Sequence, residues 1–285
     1  SRVVVRFREI IEDPFQEGEI TLNGDRGTLF GTIQEAIDAA ADGDEVVVSF
    51  GTYGGPGNMD LDLGAKAITV RSEFGPERTI IDCDGGGRGF WFRNNESSQS
   101  IVRGFTIQGG SADRGGGIYY MADAQAVVED CIIVDCRADE VGGGVFFAGA
   151  DIIEAVDPSG DDPNAPDYDP GDPGVANDEA VIPRGRLVNV QIRNCSSGGA
   201  GGGVYIEEAA PVILSCHVES NRAGESGGAI HIIAIDDQGS YPAVINCLIN
   251  INRADGLGGS IYTENSAPTI RLCTIVNNNG GIDPD

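Results

Sequence analysis

A glycine-led phrase that occurs five times, a second phrase between its copies, and one amphipathic helix near the start together predict an all-β chain. The predicted fold is a single-stranded right-handed parallel β-helix with an N-terminal capping α-helix. The first phrase runs Gly115-Gly116-Gly117-Ile118-Tyr119, and returns at Gly142 to Phe146, Gly201 to Tyr205, Gly227 to His231 and Gly258 to Tyr262. The second runs Cys131 to Cys136, Val190 to Cys195, Cys216 to Asn221, Cys247 to Asn252 and Cys273 to Asn278. Ile118 and Val145 are 27 residues apart and Val204 and Ile230 are 26 apart, so the period is under about thirty, with one large insertion between Val145 and Val204. Units of that size cannot bury an apolar face alone and must stack. Each is expected to hold two strands and two turns.

In chain order, residues 1–31 form an N-terminal strand, Arg2-Val-Val-Val-Arg-Phe7, and an acidic connection; residues 32–285 form the β-helix domain. Ile33, Ala36, Ile37 and Ala40 make one helical stripe, Thr32 and Glu35 a capping box, and Gly43 a stop, which predicts a helix over 32–42 that covers the open end of the coil. Strands are expected near 45–50, 58–63, 67–72 and 79–83, followed by Phe90-Trp91-Phe92 and Ile101 to Ile107. In the glycine-led strands, alternate residues such as Ile118 and Tyr120 face a core. Asn221, Asn252 and Asn278 recur at one corner and predict a structural ladder of stacked amides in left-handed backbone. Cys131, Cys216, Cys247 and Cys273 share a column with Phe105 and Val190, the place of apolar filling, whereas Cys136 and Cys195 stand where later repeats carry Asn. Bridging of Cys136 to Cys195 is sterically poor between parallel strands, so free structural thiols are expected.

Over about residues 79–282 these phrases resemble the repeats of the chlamydial polymorphic outer-membrane proteins and related bacterial β-helix surface proteins. That resemblance implies a right-handed β-helix outside the cell with an adhesive or structural role. Thr32 to Tyr53 is similar to the start of β-helix polysaccharide lyases and related pectin-active enzymes, which bears on fold and not on reaction.

Acidic residues number 45 against 18 basic ones, a formal charge of -27 that opposes nucleic acids and anionic membranes. No apolar run is long enough to span a membrane, and Ser1 does not open a signal peptide, as expected of a mature or trimmed product, secreted or at the cell surface. Seven cysteines in a chain this long make no disulfide framework, and no Cys/His spacing suggests zinc.

The insertion at 148–186 is too polar and proline-rich for a regular element. Its Asp157, Asp161, Asp162, Asp167, Asp169 and Asp172 are candidate calcium ligands, although their spacing is not that of an EF-hand loop. Outward positions of the glycine-led strands carry Trp91, Tyr119, Phe146, Tyr205, His231 and Tyr262, a column suited to glycan stacking, to a partner, or to cover by other segments. His231 is the candidate base and Arg93 its candidate cation, with Arg103 and Arg114 as further guanidinium groups; His217 reads as an ordinary polar residue. The expected function is a structural or adhesive surface module, self-associating head to tail through Arg2 to Phe7. The alternatives are a polysaccharide-binding module or a calcium-assisted lyase, with catalysis the less favoured reading and calcium the one cofactor in view.

Overall fold

The computed structural model describes residues 2–5, 29–121, 124–149, 185–235 and 240–281. They form a parallel β-helix of about seven turns with one short helix. A representative coil runs Val127–Glu129, Ile132–Val134, Arg137–Val141 and Val145–Ala148, so a full repeat contains four strands rather than the two expected. Each strand pairs in parallel with its copy one coil away, giving four sheets of ten, eight, five and six strands, called here the first to fourth in coil order.

The strands are short because two corners are only two residues long. One residue turns the chain in left-handed backbone and the next points inward. At the corner from the first to the second sheet the turning residues are Gly104, Asp130, Asn189, Ser215, Asn246 and Leu272; at the next corner they are Gly109, Asp135, Asn194, Ser220, Ile251 and Asn277. The inward residues of the first corner are Phe105, Cys131, Val190, Cys216, Cys247 and Cys273, all buried but the half-buried Cys273. Those of the second are Gly110, Cys136, Cys195, Asn221, Asn252 and Asn278. All seven cysteines are free thiols.

The asparagine ladder is present, with one correction. The left-handed residue stands one position earlier, and Asn221 and Asn252 are interior groups, each 1 % exposed. Asn221 Oδ1 accepts from the Cys195 N–H at 2.9 Å, Asn252 Oδ1 from the Asn221 N–H at 3.0 Å, and Asn278 Oδ1 from the Asn252 N–H at 2.9 Å. Their amide groups donate in turn to Ile192, Val218 and Ile249 carbonyls. A polar side chain is tolerated in the core because its donors and acceptor are all satisfied.

At the N-terminal end the helix spans Ile33–Ala39, with the reciprocal Thr32 and Glu35 capping box in place. Ile33, Ala36 and Ile37 are buried against the main core, as a cap requires. The helix ends at Ala40 in extended backbone, three residues before the expected stop; Gly43, at φ +82°, turns the following loop instead. The early strands are Glu45–Val48, Gly51–Gly54, Thr69–Ser72 and Thr79–Asp82, while 58–63 contributes only the Leu61 bridge to Phe90. Arg2–Val5 is not a free strand. It pairs with Glu45–Val48 of its own chain and carries Leu29–Phe30 on its other edge, so it is already used within the molecule.

Candidate functional site

The outward side chains of the fourth sheet form the predicted column in register: Trp91, Tyr119, Phe146, Tyr205, His231 and Tyr262 occupy successive rungs. Neighbouring ring centroids lie between 4.8 and 6.3 Å apart, from Tyr119–Phe146 to Trp91–Tyr119. The rungs are held by the loops that lead from the third sheet into the fourth. Each loop doubles back over the strand it is about to enter, and the first glycine of the phrase makes this possible. Gly227 sits at φ +66°, and a Cβ there would stand 2.7 Å from His231 Cβ. The second glycine is packed on the adjacent coil's main chain: a Cβ on Gly202 would overlap the Arg222 carbonyl group and one on Gly228 the Gly259 oxygen.

The loops therefore roof the middle of the column. Phe146 is fully buried, Tyr205 is 8 % exposed and His231 5 %, whereas Trp91, Tyr119 and Tyr262 are half-buried. Phe146, Ala200 and Tyr205 form a small apolar cluster of their own outside the main core, with Tyr119, Val141, Ala148 and Ile233 against it. Arg88 and Arg93 lie over Trp91 at 4.9 and 4.4 Å, and Arg114 over Phe146 at 5.9 Å.

The two candidate catalytic groups are not brought together. Arg93 follows the Trp91 strand, and the His231 strand is four rungs away, about 19 Å at the usual strand spacing. Arg93 is already paired with Asp62 at 2.7 Å. His231 stacks between Tyr205 and Tyr262, at 4.9 and 5.1 Å. Burial holds its pKa down to about 4, against the opposing pull of the Ser226 main chain, so the ring is neutral at ordinary pH. Its Nδ1 lies 3.0 Å from Ser226 Oγ. Of the other groups singled out, Arg103 pairs with Glu129, Arg114 with Glu140 at 2.7 Å, and His217 lies on the second sheet beside Glu219 and Asn250.

Asp157, Asp161, Asp162, Asp167, Asp169 and Asp172 lie outside the described residues. Among the described residues no group of three or more His, Cys, Asp or Glu could hold a metal ion, and no helix is long and apolar enough to cross a membrane.

Two features lay beyond sequence reasoning. The first is Ser226, which occupies the repeat position of Arg114, Val141, Ala200 and Leu257, just before each glycine phrase, and is the one hydroxyl there. The second is a groove of about 400 Å³ beside it, lined by Gly224, Glu225, Ser226, Asp255, Gly256, Leu257 and Tyr262. Aligning the five phrases puts Ser226 next to an imidazole, a signal that appears only once the doubling back of the loop is known. The fold and this outer face define a parallel β-solenoid with a packed ring column. No family model, curated protein or solved structure matches the chain.

Proposed function

We propose that the chain is a structural or adhesive β-helix module of the cell surface or extracellular space. The observation that carries this reading is the roofed ring column. The face that the repeat builds most regularly spends its aromatic surface on joining coil to coil, as a load-carrying rod would, and leaves little of it for a ligand. The resemblance of the repeat phrases to chlamydial and related bacterial surface proteins supports the location, and the charge of -27 suits an extended, soluble exterior.

A polysaccharide-binding reading draws on Trp91, Tyr119 and Tyr262, whose rings keep part of their area in solvent. The calcium-assisted lyase reading has less support, because His231 and Arg93 stand far apart and Arg93 is paired with Asp62. Head-to-tail association draws on the last described coil, where Ile270, Leu272, Ile275 and Val276 are exposed.

Microspheres coated with the protein should be retained under flow on cells or on polysaccharide-coated surfaces, and Trp91→Ala should leave retention unchanged. Microspheres that wash away like albumin-coated controls overturn the adhesive reading; loss of retention in Trp91→Ala moves it to glycan binding. Pectate, alginate and chondroitin should yield no unsaturated-uronate absorbance. A signal abolished by His231→Ala or Arg93→Ala would put the lyase first.

A further inference from the structure

We infer that Ser226 and His231 are the nucleophile and base of an acyl-ester hydrolase site in the groove beside Tyr262. Three geometric observations converge there. Ser226 is half-buried and forms part of the wall of the groove, so its hydroxyl can meet a ligand. Its Oγ is 3.0 Å from His231 Nδ1, the reach that an activated serine needs from its base. The imidazole cannot swing away, since Tyr205 and Tyr262 hold it from either side with interplanar angles of 14° and 33°. Stacking thus does the orienting that a carboxylate does in a catalytic triad.

In the Nε2–H tautomer, Nδ1 accepts the Ser226 proton as Oγ bonds to the acyl carbon. The alkoxide then leaves with that proton as its C–O bond breaks. In the second half, His231 takes a proton from water, the resulting hydroxide adds to the acyl carbon, and Ser226 Oγ departs with the proton, releasing the acid. The N–H groups of Ser226 and Leu257, both on the groove, have no acceptor among the described residues and can stabilise the oxyanion.

The lining sets the substrate class. Glu225 and Asp255 repel anions, and Tyr262 and Leu257 offer a ring face and an apolar side chain. The fitting ligand is a short acyl ester of an uncharged alcohol, such as an acetylated sugar. The groups facing the imidazole are the Tyr205 and Tyr262 rings and the Ser226 hydroxyl, with Glu207 and Glu264 two residues further along the flanking strands and Glu225 and Asp255 on the adjacent corner loops. Burial keeps the ring unprotonated well below neutrality, so activity should persist into acid instead of falling near the ordinary histidine value.

The test uses the full chain with p-nitrophenyl acetate and a fluorophosphonate. The expected results are one covalent adduct, on Ser226, and turnover that falls at least about 100-fold in kcat/KM in Ser226→Ala and in His231→Gln. His217→Gln, on the second sheet and outside the groove, should keep full activity, and the wild-type rate should hold from pH 8 to about pH 5. Circular dichroism confirms the fold of each variant. If His231→Gln does not fold, the Ser226 adduct and the wild-type pH profile decide. No adduct on Ser226, turnover that survives Ser226→Ala, or a rate that halves near pH 6.5 overturns the assignment.

Discussion

Two stacks of like side chains run along this molecule, one inside a corner and one outside a sheet, and they are stabilised by different physics. The inner stack, Cys136, Cys195, Asn221, Asn252 and Asn278, is a chain of hydrogen bonds. Its amide rungs lock each coil to the next at 2.9 to 3.0 Å, whereas its thiol rungs make only long contacts with carbonyls, 3.4 and 3.9 Å from Cys136 Sγ. The outer stack is made of rings, held by area and by the glycines folded over it. For packing, ring can replace ring outside, while inside an amide and a thiol are unequal, since the amide oxygen meets the neighbouring N–H at 2.9 to 3.0 Å and sulfur makes only longer, weaker contacts.

The largest expected effect lies in the outer stack, where an imidazole has replaced a phenol or phenyl ring. Its pKa is about 4 in the fold against an ordinary 6.5. A lowered folded pKa means that the unfolded chain binds the proton first. The fold should therefore be unaffected above about pH 6.5 and lose stability as pH falls towards 4, by up to about 3 kcal/mol. In His231→Phe that component should vanish, as read from urea midpoints at pH 7 and 4.5. Parallel losses in the two proteins would mean the ring is not desolvated.

Asn252→Ala should cost about 2 to 3 kcal/mol, since the Asn221 N–H loses its acceptor and the Val218 carbonyl loses a donor in the core. Cys195→Ala, which removes only long sulfur contacts and a small volume, should cost about 1 kcal/mol. Equal losses would erase the distinction between amide and thiol. Cys195→Asn sharpens it in the other direction: an amide there can accept the Cys136 N–H and extend the ladder, with an expected gain of about 1 kcal/mol. A smaller melting temperature would show that the thiol rungs are tuned to their space.

The smallest effect concerns the residue before the ladder. Ile251 is β-branched, 55 % exposed and held at φ +59°. Ile251→Asn should stabilise by up to about 1 kcal/mol, because the left-handed strain is relieved and little buried surface is lost. A loss would mean that the side chain is more useful at that corner than its exposure implies.

Much of this was legible in the repeats. The two phrases placed the ring column, the thiol column and the amide column on single repeat positions, and all three appear in register. The number of strands was not legible, since elements such as Ser196–Ser197 and Arg222–Ala223 are too short to show alternation, and Cys131 to Cys136 conceals a corner at Asp135. The turning position was misplaced by one residue for a related reason. Ser220, Ile251 and Asn277 share a backbone angle and no composition, while the neighbouring Asn221, Asn252 and Asn278 look like turn formers and are core residues. Ser226 was invisible because its partner is reached by a loop that folds back, which no periodicity records.

The unequal corners also divide the chain into parts that can and cannot grow. From the Ile101–Arg103 strand onward the coil changes direction in two residues at the corners joining the first, second and third sheets, and an added one there would throw the following side chains to the wrong face. From the fourth sheet back to the first the connection has no set length: Tyr120 is followed by the next first-sheet strand at Val127, but Ala148 only by Arg186. New sequence can therefore be accepted at one edge of the rod without altering its pitch, and a foreign peptide grafted there would be displayed at intervals set by the coil.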